Sequence, residues 1–594
     1  MSKKLAGWYL IGSIGLSFLL YGNTIGGDFV YDDQFYSKRQ DLRQARALVS
    51  VWDEPLLPQH REAGLYRPLM VFSLALNFIL FGPSTVSFHI LNIIINGLNV
   101  FLVFLLTWRL FKRKNLAIFA SLIFAFWPIH TEAVAFIKSR DELLAMFFIV
   151  LAWLFFIKGT ENPAIKWRKI FISSLFFITG VLSKELSIIS PLAFLGVFWL
   201  QSAAFPSRIA RLALAYLPAS LIYLAVRYQV LGKSAFGSDD AYFVINPLGY
   251  VDYWTRFWTA FKIAFIYIGK TIVPINLSAT YNYNHLSLVS NPFGSIMVWL
   301  GILFLSGLIF LAIYRKTRSS PLGVGAVTFL VTYAAISKFI FKAGDILGER
   351  WIYLPSLGLA IILGYGLTWV HKKNKWLAGI ATLFLLIYYG SVIISRNRVW
   401  QSNEKLYSSM IKTAPNSIQG HLNMADIYLD RDQIEEARNE TELAFAIYKD
   451  HAPLMNLIGT IAYKDGNYDL SETAFLKAIE LRPKLPISYS NVAKVYYKTG
   501  HYEEAETALR NVVYLYPKAE DVILYALSLA KLQRYQESID IINRYLSHEL
   551  NNSQVRFVLA VNYYKLNRLA EARKYFDWIT TKSEAEKILI LRDF

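Results

Sequence analysis

Two adjacent carboxylates, Asp32 and Asp33, stand in the run Tyr31-Asp-Asp-Gln-Phe-Tyr36, just beyond the first long apolar segment from Leu5 to Tyr21. A carboxylate at such a boundary can take a proton from a hydroxyl, as a general base does. Further along the chain come Arg67, His130, Glu132, Arg140, Asp141, Lys184, Glu185, Glu349 and Arg350. Ionisable groups are costly wherever they approach hydrocarbon, so in a chain dominated by apolar runs they mark candidate function. Two carboxylates with several fixed cations at one membrane surface would suit an anionic, lipid-linked donor: the cations hold a phosphate and a carboxylate serves the acceptor.

Each group also has a plainer reading. Asp32 and Asp33 could be a solvated loop, although Phe29, Tyr31, Phe35 and Tyr36 give it an apolar setting. His130 and Glu132 follow Pro128 and could cap a helix, and Arg140-Asp141 could be an ion pair at a helix start. Lys184-Glu185 interrupts a long apolar stretch, which is harder to explain structurally. Glu349 suits a helix N-terminus and Arg350 does not, so Arg350 is the stronger candidate. Asn92, Asn96 and Asn99 share a helix face and read as hydrogen-bonding neighbours between helices.

The elements that position these groups are membrane spans. The chain has 594 residues, 55% hydrophobic and 16% aromatic. About 20 apolar residues cross a roughly 30 Å hydrocarbon core as a helix. Spans are expected at 5–22, 88–111, 115–129, 143–158, 168–183, 186–201, 209–226, 295–314, 322–340, 351–370 and 376–394, the first an uncleaved anchor. With the N-terminus inside, the cytoplasmic loops Arg109–Lys114, Lys158–Lys169, Ser207–Arg211, Arg315–Arg318 and His371–Lys375 are all basic, as orientation by positive charge requires. The net charge of +18 therefore reports topology and no nucleic-acid partner. This odd number of spans places the candidate residues and the C-terminal part on the outer side. Tyr66–Phe81 reads as an interfacial helix and Trp254–Ile275 as re-entrant or interfacial. The absence of cysteine excludes thiol chemistry and cysteine metal sites.

After about residue 400 the apolar runs stop and a period of 34 begins: Ala425, Gly459 and Ala493 are so spaced, as are Pro483 and Pro517. Small residues recur where the helices of a hairpin approach, and prolines where the second helix ends. The pattern resembles tetratricopeptide repeats, about five of them over 417–594. Such α-solenoids offer a concave groove to peptides or partner helices and carry no catalysis of their own.

The ordered motifs Phe29-Val-Tyr-Asp-Asp33, Tyr66-Arg-Pro-Leu69, Phe88-His-Ile-Leu-Asn92, Pro128-Ile-His-Thr-Glu-Ala-Val-Ala135, Ser139-Arg-Asp141, Lys184-Glu185 and Glu349-Arg-Trp-Ile-Tyr-Leu-Pro-Ser356 resemble the TMTC-type (transmembrane and tetratricopeptide repeat) protein O-mannosyltransferases and their bacterial relatives. These belong to the GT-C superfamily of glycosyltransferases. The resemblance implies an all-α fold: a polytopic GT-C-type helical bundle over 1–400, followed by a tetratricopeptide solenoid. It implies a glycosyltransferase that moves a sugar, mannose in the family, from a polyprenyl-phosphate donor to an acceptor hydroxyl on extracytoplasmic proteins by a single inverting displacement. Asp32 and Asp33 map to the family's catalytic acidic motif. Arg140, Lys184 and Arg350 would hold the donor phosphate, with Arg67, His130, Glu132, Asp141, Glu185 and Glu349 in support. No cofactor is expected; Mg²⁺ or Mn²⁺ on the Asp pair is compatible with hard carboxylate ligands but unnecessary among so many cations. The repeats would engage the acceptor protein. The expected location is a bacterial inner membrane with the repeats outside, or the lumen-facing endoplasmic reticulum membrane in a eukaryote.

Two other functions fit the same chain. A non-catalytic membrane scaffold would recruit partners through its repeats and would leave the outer charges dispersed and unpaired. A ligase or polymerase acting on lipid-linked glycans would take a glycan acceptor instead of a protein. A transporter fits less well, because transporters place their ionisable sites near mid-bilayer.

Overall fold

Backbone polar groups in hydrocarbon must be satisfied within the segment that carries them, which makes helix the only conformation open to these long apolar runs. The computed structural model describes residues 3–56, 63–202, 206–236, 243–340, 344–547, 549–550 and 552–576. Among them there is no strand, only an isolated antiparallel bridge between Tyr281 and Leu347. The chain divides into two units, Met1–Ser417 and Ile418–Phe594.

Among the described residues of the first unit, seven helices are by length and composition apolar enough to cross a bilayer: Lys4–Thr24, Thr85–Phe111, Ile137–Thr160, Glu185–Ser202, Pro206–Phe236, Ile296–Ile313 and Lys375–Val399. An eighth span results if Lys114–Ala125 and Pro128–Ala135, bent by 54°, are taken together. Others of the eleven expected stretches fall on shorter helices. The stretch expected at 322–340 is the helix Pro321–Ala334. Its 14 residues rise only about 21 Å, and a left-handed residue, Lys338, follows its end. The stretch expected at 351–370 begins later, as Ser356–Lys373, after a 3₁₀ turn over Glu349–Ile352. Trp167–Ser183 has 17 residues, at the short end of the range that crosses a bilayer.

The two stretches expected at the interface are also helices. Pro68–Phe81 buries Met70, Leu74 and Phe78 against Tyr36, Leu42, Val51 and Leu56 of the first loop. Tyr253–Ile272 is a continuous 20-residue helix whose N-cap, Asp252, accepts from the amides of Trp254 and Thr255. Its Lys262 ends its apolar surroundings by donating to the Ser287 carbonyl and hydroxyl at 2.7 and 2.6 Å.

Without an aqueous hydrophobic effect between them, membrane helices associate through close van der Waals packing at small residues. One such close approach joins Pro321–Ala334 to Ser356–Lys373. There a Cβ added at Gly325 would meet the Gly358 carbonyl at 2.5 Å, and one added at Gly358 would meet the Phe329 amide at 2.5 Å. Both contacts are with backbone, which cannot swing aside. This crossing holds the helix that follows the turn carrying Arg350.

The second unit consists, among the described residues, of five helix hairpins from Ile418–Asp430 with Ile434–Ile447 to Ser553–Lys565 with Leu569–Phe576. Ala425, Ala437, Ala493 and Ala505 are fully buried where the hairpin helices touch. At Gly459 a Cβ would meet the Phe475 ring at 2.6 Å, which explains the smallest residue in that register. Residues 577–594 of the expected repeat region lie outside the described residues.

The Gly325–Gly358 crossing predicts that Gly358→Ala destabilises the first unit by about 1–3 kcal/mol, the range for overpacking a filled contact. Gly366→Ala on the same helix, with nothing within 4 Å of its Cβ, should melt like the parent. Equal melting temperatures for the two variants in one detergent would refute the tight crossing.

Candidate active site

The loop after the first helix is fixed by its second carboxylate. Asp33 is buried and accepts from the backbone amides of Lys138 at 2.7 Å and Ile137 at 3.3 Å. Burial pushes its pKa up to about 8, and the two amides oppose the rise. Asp32 points the other way. Its side chain is 27% exposed and lies 2.6 Å from the Lys138 ammonium. The pair therefore splits into an anchor, Asp33, and an accessible carboxylate, Asp32.

The remaining charges neutralise one another across long sequence separations. Arg67 grips Glu185 with two nitrogens, at 2.8 and 2.6 Å, and Asp141 with the third, at 2.5 Å. Lys184 is paired with Glu142. Arg350 is paired with Glu132 through its guanidinium, and its backbone amide donates to the same carboxylate at 2.9 Å. Asp345, Asp32 and Asp141 also face Arg350, and with Glu132 they hold its pKa above the ordinary arginine value. The Arg350 guanidinium lies over the rings of Phe136 and Trp351 at 6.0 and 5.7 Å. Buried charges are tolerable only when paired in this way.

Three expected residues sit apart from this cluster. Arg140 is fully buried and gives its donors to neutral acceptors: Asn92 Oδ1 at 2.7 Å, the Phe88 carbonyl at 3.1 Å, and Asn77 Oδ1 and the Ser73 carbonyl at 3.3 Å. With these bonds it clamps Pro68–Phe81 to Thr85–Phe111, apart from Lys184 and Arg350, with which it is expected to share a donor phosphate. His130 is buried against Phe124 and Tyr353, with Nε2 2.9 Å from the Ser356 hydroxyl. Glu349 turns inward, where it accepts from the Tyr281 hydroxyl and from the Ser278 amide at 2.6 Å. The asparagine face bonds between helices as its spacing suggests: Asn96 accepts from the Tyr353 hydroxyl at 2.7 Å, and Asn99 donates to the Leu143 carbonyl at 2.9 Å.

Lys138, Glu142 and Asp345 belong to the cluster and escaped the sequence reading. Lys138 and Glu142 flank Ser139-Arg-Asp141, so their nearness to a motif was the available signal; Asp345, four residues before Glu349, gave only its charge.

Fold and site together define an all-α, GT-C-like polytopic membrane protein with a tetratricopeptide array. Residues 66–231 match the family model "Dolichyl-phosphate-mannose-protein mannosyltransferase", and residues 452–485 and 492–553 match tetratricopeptide repeat models. The chain is 26% identical to protein O-mannosyl-transferase TMTC1 of Homo sapiens over 75% of its own length and 56% of that protein's. It is 25% identical to Tmtc1 of Drosophila melanogaster, over 76% of this chain and 62% of that one. To TMTC3 of Homo sapiens it is 23% identical, over 81% and 52%. The resemblance in the order of motifs thus extends over most of the chain, which spans little more than half the length of these curated relatives.

Glu349 supplies a pH test. Burial raises its pKa from 4.5 to about 7, partly offset by Arg396. The folded chain then holds this proton more tightly than the unfolded chain, so the contribution is fullest below about pH 4.5 and is lost as pH rises through 7. Glu349→Gln keeps the oxygen that accepts from Ser278 and Tyr281 but cannot ionise. Between about pH 5 and 8 the parent's melting temperature should fall relative to the variant's; parallel curves would exclude titration of Glu349 in that range.

Proposed function

We propose that this chain transfers a mannosyl residue from a polyprenyl-phosphate carrier to hydroxyls of an acceptor protein outside the cytoplasm. The observation that carries the reading is the contrast between Asp32 and its surroundings: an accessible carboxylate beside Lys138, within a ring of buried, paired ions. Asp32 takes the proton of the acceptor hydroxyl as that oxygen bonds to the anomeric carbon from the face opposite the leaving group. The bond between the anomeric carbon and the phosphate oxygen breaks, and the lipid phosphate leaves with the electron pair. A phosphate is already a good leaving group, so charge stabilisation by Arg350 and Lys138 suffices and no strong acid is needed.

In this reading Lys138 replaces Arg140 beside Arg350, and Lys184 acts through Glu142 and Asp141. Asp33 is the anchor that sets the loop. The transfer runs without a divalent ion, because the Asp33 carboxylate is engaged by backbone amides and Asp32 by an ammonium; chelators should leave the rate unchanged. The repeats engage the acceptor. The site and the repeats face outward from a bacterial inner membrane, or into the lumen of the endoplasmic reticulum if the cell is eukaryotic. A mere scaffold would leave the outer charges dispersed, whereas here they converge and pair.

The test is the purified chain in detergent with lipid, given a radiolabelled polyprenyl-phosphate mannose. Asp32→Asn is nearly isosteric but cannot accept the proton, and should lower transfer by about 10²–10⁴-fold while donor binding persists. More than half the parent rate in this variant would remove Asp32 from the mechanism.

A further inference from the structure

Tyr31, immediately before Asp32, has φ of +51°. A bulky residue with a Cβ is an outlier in that left-handed region and persists only where its surroundings over-determine it. The restraint comes from the far end of the same unit. The Tyr31 amide donates to Asn403 Oδ1 at 2.8 Å, and its ring stands edge-on to Tyr407 at 6.4 Å. Three residues earlier, the Asp28 amide donates to the Gln401 carbonyl at 2.9 Å. Asn403 and Tyr407 are four residues apart on the helix Asn403–Thr413, hence on one face.

The other end of this helix meets the opposite wall of the site. The Thr413 hydroxyl donates to the Ser278 hydroxyl at 3.3 Å, and the Ser278 amide donates to Glu349, the residue before Arg350. Arg396 lies 4.0 Å from Glu349 and donates to the Ser409 hydroxyl at 3.2 Å. One short helix therefore reaches the turn that carries Asp32 and the turn that carries Arg350.

We propose that the helix Asn403–Thr413 is the positioning element of the site and that Asn403 is the positioning residue for Asp32. Through the Tyr31 amide it holds the strained turn that aims Asp32 at Lys138. The inference rests on the assignment of Asp32 as the base. Its structural part, the restraint on the turn, is open to a measurement independent of turnover.

The experiment uses the full chain and three variants. Asn403→Ala removes the acceptor, Asn403→Asp restores an Oδ oxygen, and Tyr31→Gly on the Asn403→Ala background removes the strain, because glycine enters the left-handed region freely. Asn403→Ala should speed deuterium exchange of the Tyr31 amide and lower kcat about tenfold or more with little change in donor KM, as a misaimed catalytic group does. Asn403→Asp should return both readouts toward the parent, and the glycine double variant should turn over faster than Asn403→Ala alone. Should Asn403→Ala fail to fold, Asn403→Gln keeps the amide but shifts it by a methylene, and is expected to show the same exchange and kcat losses.

Unchanged exchange at Tyr31, or equal kcat for the alanine and aspartate variants, would overturn the proposal. Asp32→Asn assayed in parallel separates the two failures. If Asp32→Asn is inactive while Asn403→Ala keeps the parent rate, only the positioning role falls. If Asp32→Asn is active, the assignment of the base falls, while altered exchange at Tyr31 still establishes the restraint.

Discussion

Charge at the edge of hydrocarbon must be neutralised by other charge, and the first unit is organised by that requirement. Transfer of an ion out of water costs several kcal/mol even after relaxation, and one well-placed counter-ion with further hydrogen bonds is what offsets it. Arg67 thus brings together segments carrying Asp141 and Glu185, Lys184 finds Glu142, and Arg350 finds Glu132. Each pair joins stretches separated by 42 to 218 residues. The helices can pack in many ways by apolar contact alone, but few of those arrangements also close every ion pair.

Neutral polar contacts complete what the ion pairs begin. Arg140 binds only uncharged acceptors, and it does so where Pro68–Phe81 crosses Thr85–Phe111. The asparagine face of that longer helix bonds to Ser17, Leu143 and Tyr353, tying the first helix and the Arg350 turn to one support. Close backbone approach at Gly325 and Gly358 fixes the helix that continues from that turn. The second unit uses a different rule: its hairpins repeat one small-residue contact, and its buried Glu506 pairs with Arg510 and Arg534 of neighbouring helical turns and hairpins.

Much of this was legible in the sequence because it is local. The period of 34 sets the repeats, and long apolar runs set the helices. What the sequence hid depends on partners or on bends. Lys138 stood in plain view at 138, but only the fold shows that its ammonium meets Asp32 and its amide meets Asp33. Arg140 looks like a phosphate ligand by type, yet its burial among asparagines is decided by the packing of a helix some fifty residues earlier. The expected spans at 322–340 and 351–370 read as continuous because apolar composition does not register a left-handed lysine or a 3₁₀ turn. Asp32 and Asp33 are identical in type, and their opposite fates follow from a turn in which Tyr31 has an unusual φ.

The pairing of Lys138 and Arg350 has a kinetic meaning as well as a structural one. Neither cation waits as a vacant socket, since each already faces a carboxylate. Under the proposed mechanism an incoming donor phosphate would enter by partner exchange, displacing a resident anion instead of filling an empty place. The exchange that seated the phosphate on Lys138 would leave Asp32 without its counter-ion and open to a hydroxyl proton. Loading of the donor and arming of the base would then be one event, and a site with no donor aboard would keep its carboxylate occupied.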